Sequence, residues 1–277
     1  MKAQKLRSYV SGMVGVVVTA LIFIVPFIFI FTQAVKNSQE AAELSLAVPT
    51  ELLIVENFHE VLQFRDFMLL RALWNSTVLT VASVVLVVTF GALVAYVIQR
   101  RPSRLTKVLG SFVMAGLIIP PAVVPTIFLM QDLGIFKTLH GLIFIQIAFG
   151  ISFVILLFRG FIATIPRELD EAAIIDGAGP LRLFFQVIFP LLRGVIVTAV
   201  ILVSISVFND FQNPLYFLPG DANVTVQLTL FNFQSQFVTK FNLLFMNILL
   251  ITIPLLVLFL IFNKKIVAGM TAGAVKG

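Results

Sequence analysis

Six stretches of the chain run almost continuously apolar, at 9–32, 74–98, 108–130, 141–162, 191–215 and 241–262. Each is close to the roughly 20 residues an α-helix needs to cross a hydrocarbon core. None shows the alternation of about 9–11 residues that marks a membrane β-strand. The pattern predicts an all-α polytopic membrane protein with six transmembrane helices, flanked by a short leader at 1–8 and a tail at 263–277. The first stretch follows Lys2, Lys5 and Arg7, as a signal peptide would. Its apolar run exceeds the roughly 7–15 residues of a signal core and no small-x-small cleavage site follows it, so it is expected to be a retained span.

The polar positions orient the spans. With six spans both termini share a side, and 14 of the 19 Lys and Arg residues fall there, in the leader, at Arg100, Arg101, Arg104 and Lys107, in 159–193, and in the tail. By the positive-inside rule that side is the cytoplasm. The formal charge of +6 is therefore a topology signal and gives no reason to expect nucleic acid. The opposite side carries a long acidic loop at 33–73, with Glu40, Glu43, Glu51, Glu56, Glu60 and Asp66. No internal repeat is visible, so the inverted-repeat pattern of many secondary transporters is missing.

Composition removes whole classes of function. Of 277 residues, 60% are hydrophobic and 12% charged, and mean hydropathy is +1.08. A soluble domain carries about 25% charged residues, so a soluble enzyme and a disordered chain are both excluded. There is no cysteine, and His59 and His140 stand far apart in different loops, so no metal site or catalytic triad is expected. No Gly-x-x-x-x-Gly-Lys-Ser/Thr string is present, so the chain has no P-loop of its own. Gly177-x-Gly179 has Arg182 where a third glycine is required and follows no strand, which rejects a dinucleotide fingerprint.

The long inner loop, 163–190, is patterned as helix–turn–helix. Pro166 suits a first helical turn, Glu168, Asp170 and Glu171 suit the positive end of the helix dipole, and Gly177 stands where a left-handed cap is wanted. Gly179-Pro180 restarts a second helix whose apolar face is Phe184, Phe185 and Ile188. Ala172 and Ala173 make the first helix thin enough to enter a groove. By these residues alone the loop is either a docking element or an amphipathic segment on the membrane surface.

The string Glu171-Ala172-Ala173-x-x-Asp176-Gly177-Ala178, followed by Phe184, Ile188 and Pro190, resembles the EAA motif of ABC-importer permeases. More narrowly, the chain is similar to carbohydrate-importer permeases of the maltose-transport type, the shorter, MalG-like membrane subunit. Glu56-Asn57-Phe58, Trp74-Asn75-Ser76, Pro120-Pro121 with Pro125, Phe208-Asn209-Asp210-Phe211 and the tail from Gly269 share that likeness. Gly194 departs from it, standing where many members have a second proline. The resemblance implies a type I ABC-importer fold in a bacterial or archaeal cytoplasmic membrane, with 163–190 as the coupling loop. It implies no catalysis and no cofactor in this chain, with ATP and Mg bound by two cytoplasmic ATPase subunits. The further partners it implies are a second homologous permease, an extracytoplasmic solute-binding protein, membrane lipid and a sugar substrate. In that frame Glu171 makes a polar contact to the ATPase, Ala172 and Ala173 permit close approach, and Gly177 forms the turn. A polyol or glycerol phosphate, a secondary transporter and a membrane scaffold stand as alternatives.

The expected substrate path is the fifth span, where Ser206, Asn209, Asp210 and Asn213 fall at helical spacing. Their amides and carboxylate suit sugar hydroxyls, and they equally suit hydrogen bonds between helices. Asn75, Gln146, Asn242 and Asn247 are weaker candidates of the same kind. Pro120, Pro121, Pro125 and Pro254 interrupt the third and sixth spans, as flexing points or static kinks. Lys264 and Lys265 anchor the last span, and the tail beyond either reaches the ATPases or frays.

Overall fold

The computed structural model describes residues 2–234 and 239–274 and is helical nearly throughout. The helices are α1 (Lys2–Ala34), α2 (Ser38–Ala42), α3 (Ile54–Gln63), α4 (Met68–Arg100), α5 (Arg104–Ile118), α6 (Val123–Asp132), α7 (Leu139–Ile162) and α8 (Glu168–Ile175). There follow α9 (Pro180–Leu191), α10 (Arg193–Phe208), α11 (Gln212–Phe217) and α12 (Phe241–Ala274). The side chains of Lys2, Lys5, Arg7, Lys264 and Lys265 and the last three residues of the tail lie outside what is described.

Among the described residues, three helical stretches are long and apolar enough to cross a membrane unbroken: Gly12–Ala34, Met68–Arg100 and Leu139–Ile162. The expected third span is a bent pair, α5 and α6, turning through 116°. Its break falls at Pro120-Pro121, where two successive residues lack the N–H a continuing helix requires. Pro125 lies in the first turn of α6, where that lack is harmless. Pro254, like Pro26 in α1, sits inside an unbroken helix, so one proline alone does not divide these helices. The expected fifth span begins at an 80° bend, where α9 of the inner loop meets α10, and it is divided further on, since α10 ends at Phe208 and α11 starts at Gln212 rather than one helix continuing to 215. The sixth segment is one helix, Phe241–Ala274, which runs past 262, and its stretch Phe241–Val257 is apolar.

The chain forms two compact units, one comprising residues up to Leu70 with Thr229–Pro254, the other Arg71–Leu228 with residues from Leu255 on. In the first unit, Asn57 donates to the carbonyls of Ala34 and Lys36 and accepts from Asn242 at 2.9 Å. Asn247 donates to Thr229 Oγ1 at 3.0 Å. Asn242 and Asn247, two of the asparagines considered for the substrate path, therefore bond buried side chains within this unit. In the second unit the core draws on Val87, Ala92, Phe158, Phe184, Ile188 and Phe217, all buried. Helices α4 and α7 cross so closely at Gly91 that a Cβ there would stand 2.7 Å from the Val154 side chain.

Candidate functional site: an exposed helical loop and a polar cleft

The loop after α7 makes three tight backbone turns through Ala163, Thr164 and Ile165 before α8 begins. Pro166 stands two residues ahead of Glu168, outside the first turn expected for it. The helix closes as a Schellman motif, with Gly177 N–H bonded to the Ile174 carbonyl and Ala178 N–H to the Ala173 carbonyl. Gly177 takes φ +79°, a conformation that side-chain-bearing residues avoid. Pro180 opens α9, whose middle, Leu183–Ile188, winds as π-helix.

Two faces of α8 differ sharply. Glu171, Ala172, Ile174, Ile175 and Asp176 are exposed, Ile175 to 85%. Ala173 and Ala178 instead pack against the buried core. Ala173 therefore lies on the inner side of the helix, so of the alanine pair only Ala172 is presented outward. Phe184 and Ile188 are fully buried. They root α9 in the bundle and are no part of an exposed docking face, while Pro190 is exposed just before the 80° bend.

The residue the sequence led us to miss is Asp170. It is 8% exposed, accepts the Tyr96 hydroxyl at 2.8 Å, and stands 3.1 Å from an Arg100 guanidinium nitrogen. The same Arg100 nitrogen donates to the Ile165 carbonyl at 2.8 Å. Tyr96 and Arg100 are four residues apart at the end of α4, hence on one helical face, and that spacing was the available signal.

The second feature is a cleft of about 470 Å³ lined by residues including Gln146, Phe149 and Phe153 of α7 and Ser206, Asp210 and Asn213. The α7 members repeat at three- and four-residue spacing and so share a face. Asp210 lies in the break between α10 and α11. Its carboxylate accepts from Gln146 Nε2 at 2.5 Å, from Asn213 Nδ2 at 2.7 Å and from Asn213 N–H at 3.1 Å. The amide oxygens of Gln146 and Asn213 are not used in these bonds, and with the Ser206 hydroxyl they leave acceptors beside two aromatic rings. Polar groups in small number among apolar rings are the usual make-up of a small-molecule site.

Two sequence candidates fall elsewhere. Because α10 stops at Phe208, Asn209 does not continue its face. Its amide donates to the Ile205 carbonyl and its oxygen accepts from Gln227, and it does not line the cleft. Asn75 donates to the Val224 carbonyl at 3.0 Å, pinning a loop, with Ser76 accepting from Val226 N–H beside it.

Residues 66–272 match the family model described as binding-protein-dependent transport system inner membrane component. The chain belongs to this family. It is thus a multi-pass inner membrane transport component. Over 206 residues, 73% of this chain and 75% of the relative, it is 36% identical to the melibiose/raffinose/stachyose import permease protein MelC of Bacillus subtilis. The multiple sugar-binding transport system permease protein MsmG of Streptococcus mutans is 30% identical over the full length of both chains. A chain of a bacterial ABC transporter involved in the import of the acidic polysaccharide alginate superposes with a TM-score of 0.83. The match covers 95% of this chain and 98% of that one at 20% identity. That likeness shows that the two share a fold.

Proposed function

We propose that this family member is the permease subunit of an ATP-driven importer of a sugar or oligosaccharide. It couples to separate ATPase subunits through the loop 163–190. The observation that carries the coupling role is α8: a short, rigidly capped helix with an exposed apolar rim at Ile174 and Ile175 and a buried inner face. A segment merely resting on lipid has no need of a Schellman closure at Gly177 and a buried polar attachment at Asp170. The sugar class is supported by relatives named for sugar import and by the cleft, which offers amide, hydroxyl and carboxylate groups beside phenyl rings and no basic residue. The absence of a cation among the lining residues disfavours a phosphate ester as cargo.

In this reading two ATPase subunits bind ATP and Mg and close in the cytoplasm, and α8 moves with them as a rigid body. The spans of this chain and of a second, homologous permease rock from inward- to outward-facing. An extracytoplasmic solute-binding protein then delivers the sugar, and Glu171 supplies a polar contact to the ATPase. Both termini lie in the cytoplasm of a bacterium or archaeon, as the distribution of basic residues indicates.

The test is ATP hydrolysis by the purified complex in a bilayer, with and without its binding protein, across a panel of sugars. Stimulation requiring both the protein and one sugar is expected and names the cargo. A complex that purifies under mild conditions with no ATPase would overturn the reading.

A further inference from the structure

We propose that Tyr96, Asp170 and Arg100 form a clamp through which movement of α8 reaches α4. They are positioning residues in the coupling of the loop to the spans. The inference rests on the permease reading above.

The connection through the chain itself runs elsewhere. Helix α8 is joined covalently to α7 by 163–167 and to α9 by 176–179, and has no such connection to α4. What links it to α4 is a buried carboxylate held from two positions one helical turn apart. Apolar contacts such as that of Ala173 on the core are non-directional and allow a small helix to slide. The clamp does not. Separating Asp170 from Arg100, whose side chains are 12% and 8% exposed, would leave two opposite charges buried and unpaired. The Tyr96 hydroxyl adds a second, directional bond on Oδ1, which fixes the rotation of the helix about its own axis. Arg100 also grips the backbone entering α8 through the Ile165 carbonyl, so one guanidinium holds the helix at its start and at its third residue. The outer face that carries Glu171 and Ile175 is thereby set at a defined angle to a 33-residue helix. A push on that face is passed to α4 through the clamp, besides reaching α9, against which α8 packs.

Tyr96→Phe, Asp170→Asn and the exchange pair Arg100→Asp with Asp170→Arg would be introduced into the complete complex. Sugar uptake and ATP hydrolysis would be measured in the same proteoliposomes. Uptake per ATP is expected to fall about tenfold in Asp170→Asn and about threefold in Tyr96→Phe, and to recover in part in the exchange pair. Unaltered uptake per ATP in all three overturns the clamp. So does a parallel loss of uptake, hydrolysis and complex yield with no recovery in the exchange pair, which would mark a merely structural role. Amide exchange across residues 168–176 of the purified permease is a second readout that needs no ATPase. Faster exchange in Asp170→Asn is expected, and unchanged protection overturns the clamp. Should wild-type vesicles show no ATP-driven uptake, the functional reading fails and the exchange measurement alone decides.

Discussion

The loop 163–190 and the cleft above Asp210 are both polar interruptions of an apolar chain, but they are built in opposite ways. The loop is assembled from neighbours in sequence. Its cap, its turn and its exposed rim come from residues 168–178, and each rule involved acts within one or two helical turns. The cleft is assembled from distant segments, with Gln146 meeting Asp210 across 64 positions. Local construction makes the loop sensitive to single backbone-altering changes. Distributed construction makes the cleft sensitive to loss of its one central acceptor and tolerant around it.

The sharpest way to break that comparison is Gly177→Val. A β-branched residue at φ +79° is disfavoured by about 1–2 kcal/mol, and the Schellman bonds to Ile174 and Ala173 would open to relieve it. Membrane insertion should be intact, while uptake falls by about a hundredfold and hydrolysis loses its dependence on sugar, because a reoriented α8 is costly to dock. Uptake and coupled hydrolysis assayed in the same vesicles check this, and normal uptake would count against the loop as the coupling element.

Next in size is Asp210→Ala. It removes the acceptor shared by Gln146 and Asn213 and leaves their amide donors without a partner in a part-buried site. Orphaning such groups costs about 1–3 kcal/mol, enough to weaken sugar-dependent stimulation about tenfold or more. Asp210→Asn keeps an acceptor oxygen and should fall between the variant and wild type. The half-saturating concentration of loaded binding protein would report both.

A smaller effect belongs to the rim of the loop. Ile175→Ser removes an apolar side chain that is 85% exposed, so the fold loses little and any loss appears in ATPase binding. If the rim is docked in the assembled transporter, burying that side chain contributes about 1.5–3 kcal/mol, and its removal should weaken co-purification of the ATPase several-fold. A complex of undiminished yield would place the contact elsewhere on α8.

The same contrast explains what was legible beforehand. The helical class followed from six apolar runs, and the Gly177 cap followed from spacing, because both obey short-range rules. The break at Pro120-Pro121 was legible as a proline interruption, but neither the 116° nor the 80° turn was, since a lost N–H marks where a helix stops and not the direction the next one takes. Asp170 was legible as a first-turn acid and nothing more, because its partners lie on another helix. The face of α7 carrying Gln146, Phe149 and Phe153 was present in the spacing, yet apolar spacing inside a span does not separate a cleft from a core.

Asn209 carries the smallest expected effect and the most specific information. Read as continuous helix, the fifth span puts it beside Asp210 on one polar face. The helix ends at Phe208, which turns Asn209 to the Ile205 carbonyl and Gln227 while Asp210 enters the cleft. Asn209→Ala removes two exposed bonds, each of about 0.5–1.5 kcal/mol at most, and should leave sugar stimulation within about twofold of wild type. Paired with Asp210→Ala in the same assay, it separates two adjacent residues by the one feature that differs between them, the side of the break to which each belongs. Equal losses in both would mean that the span runs through as a helix during transport and that the break closes when the cleft is filled.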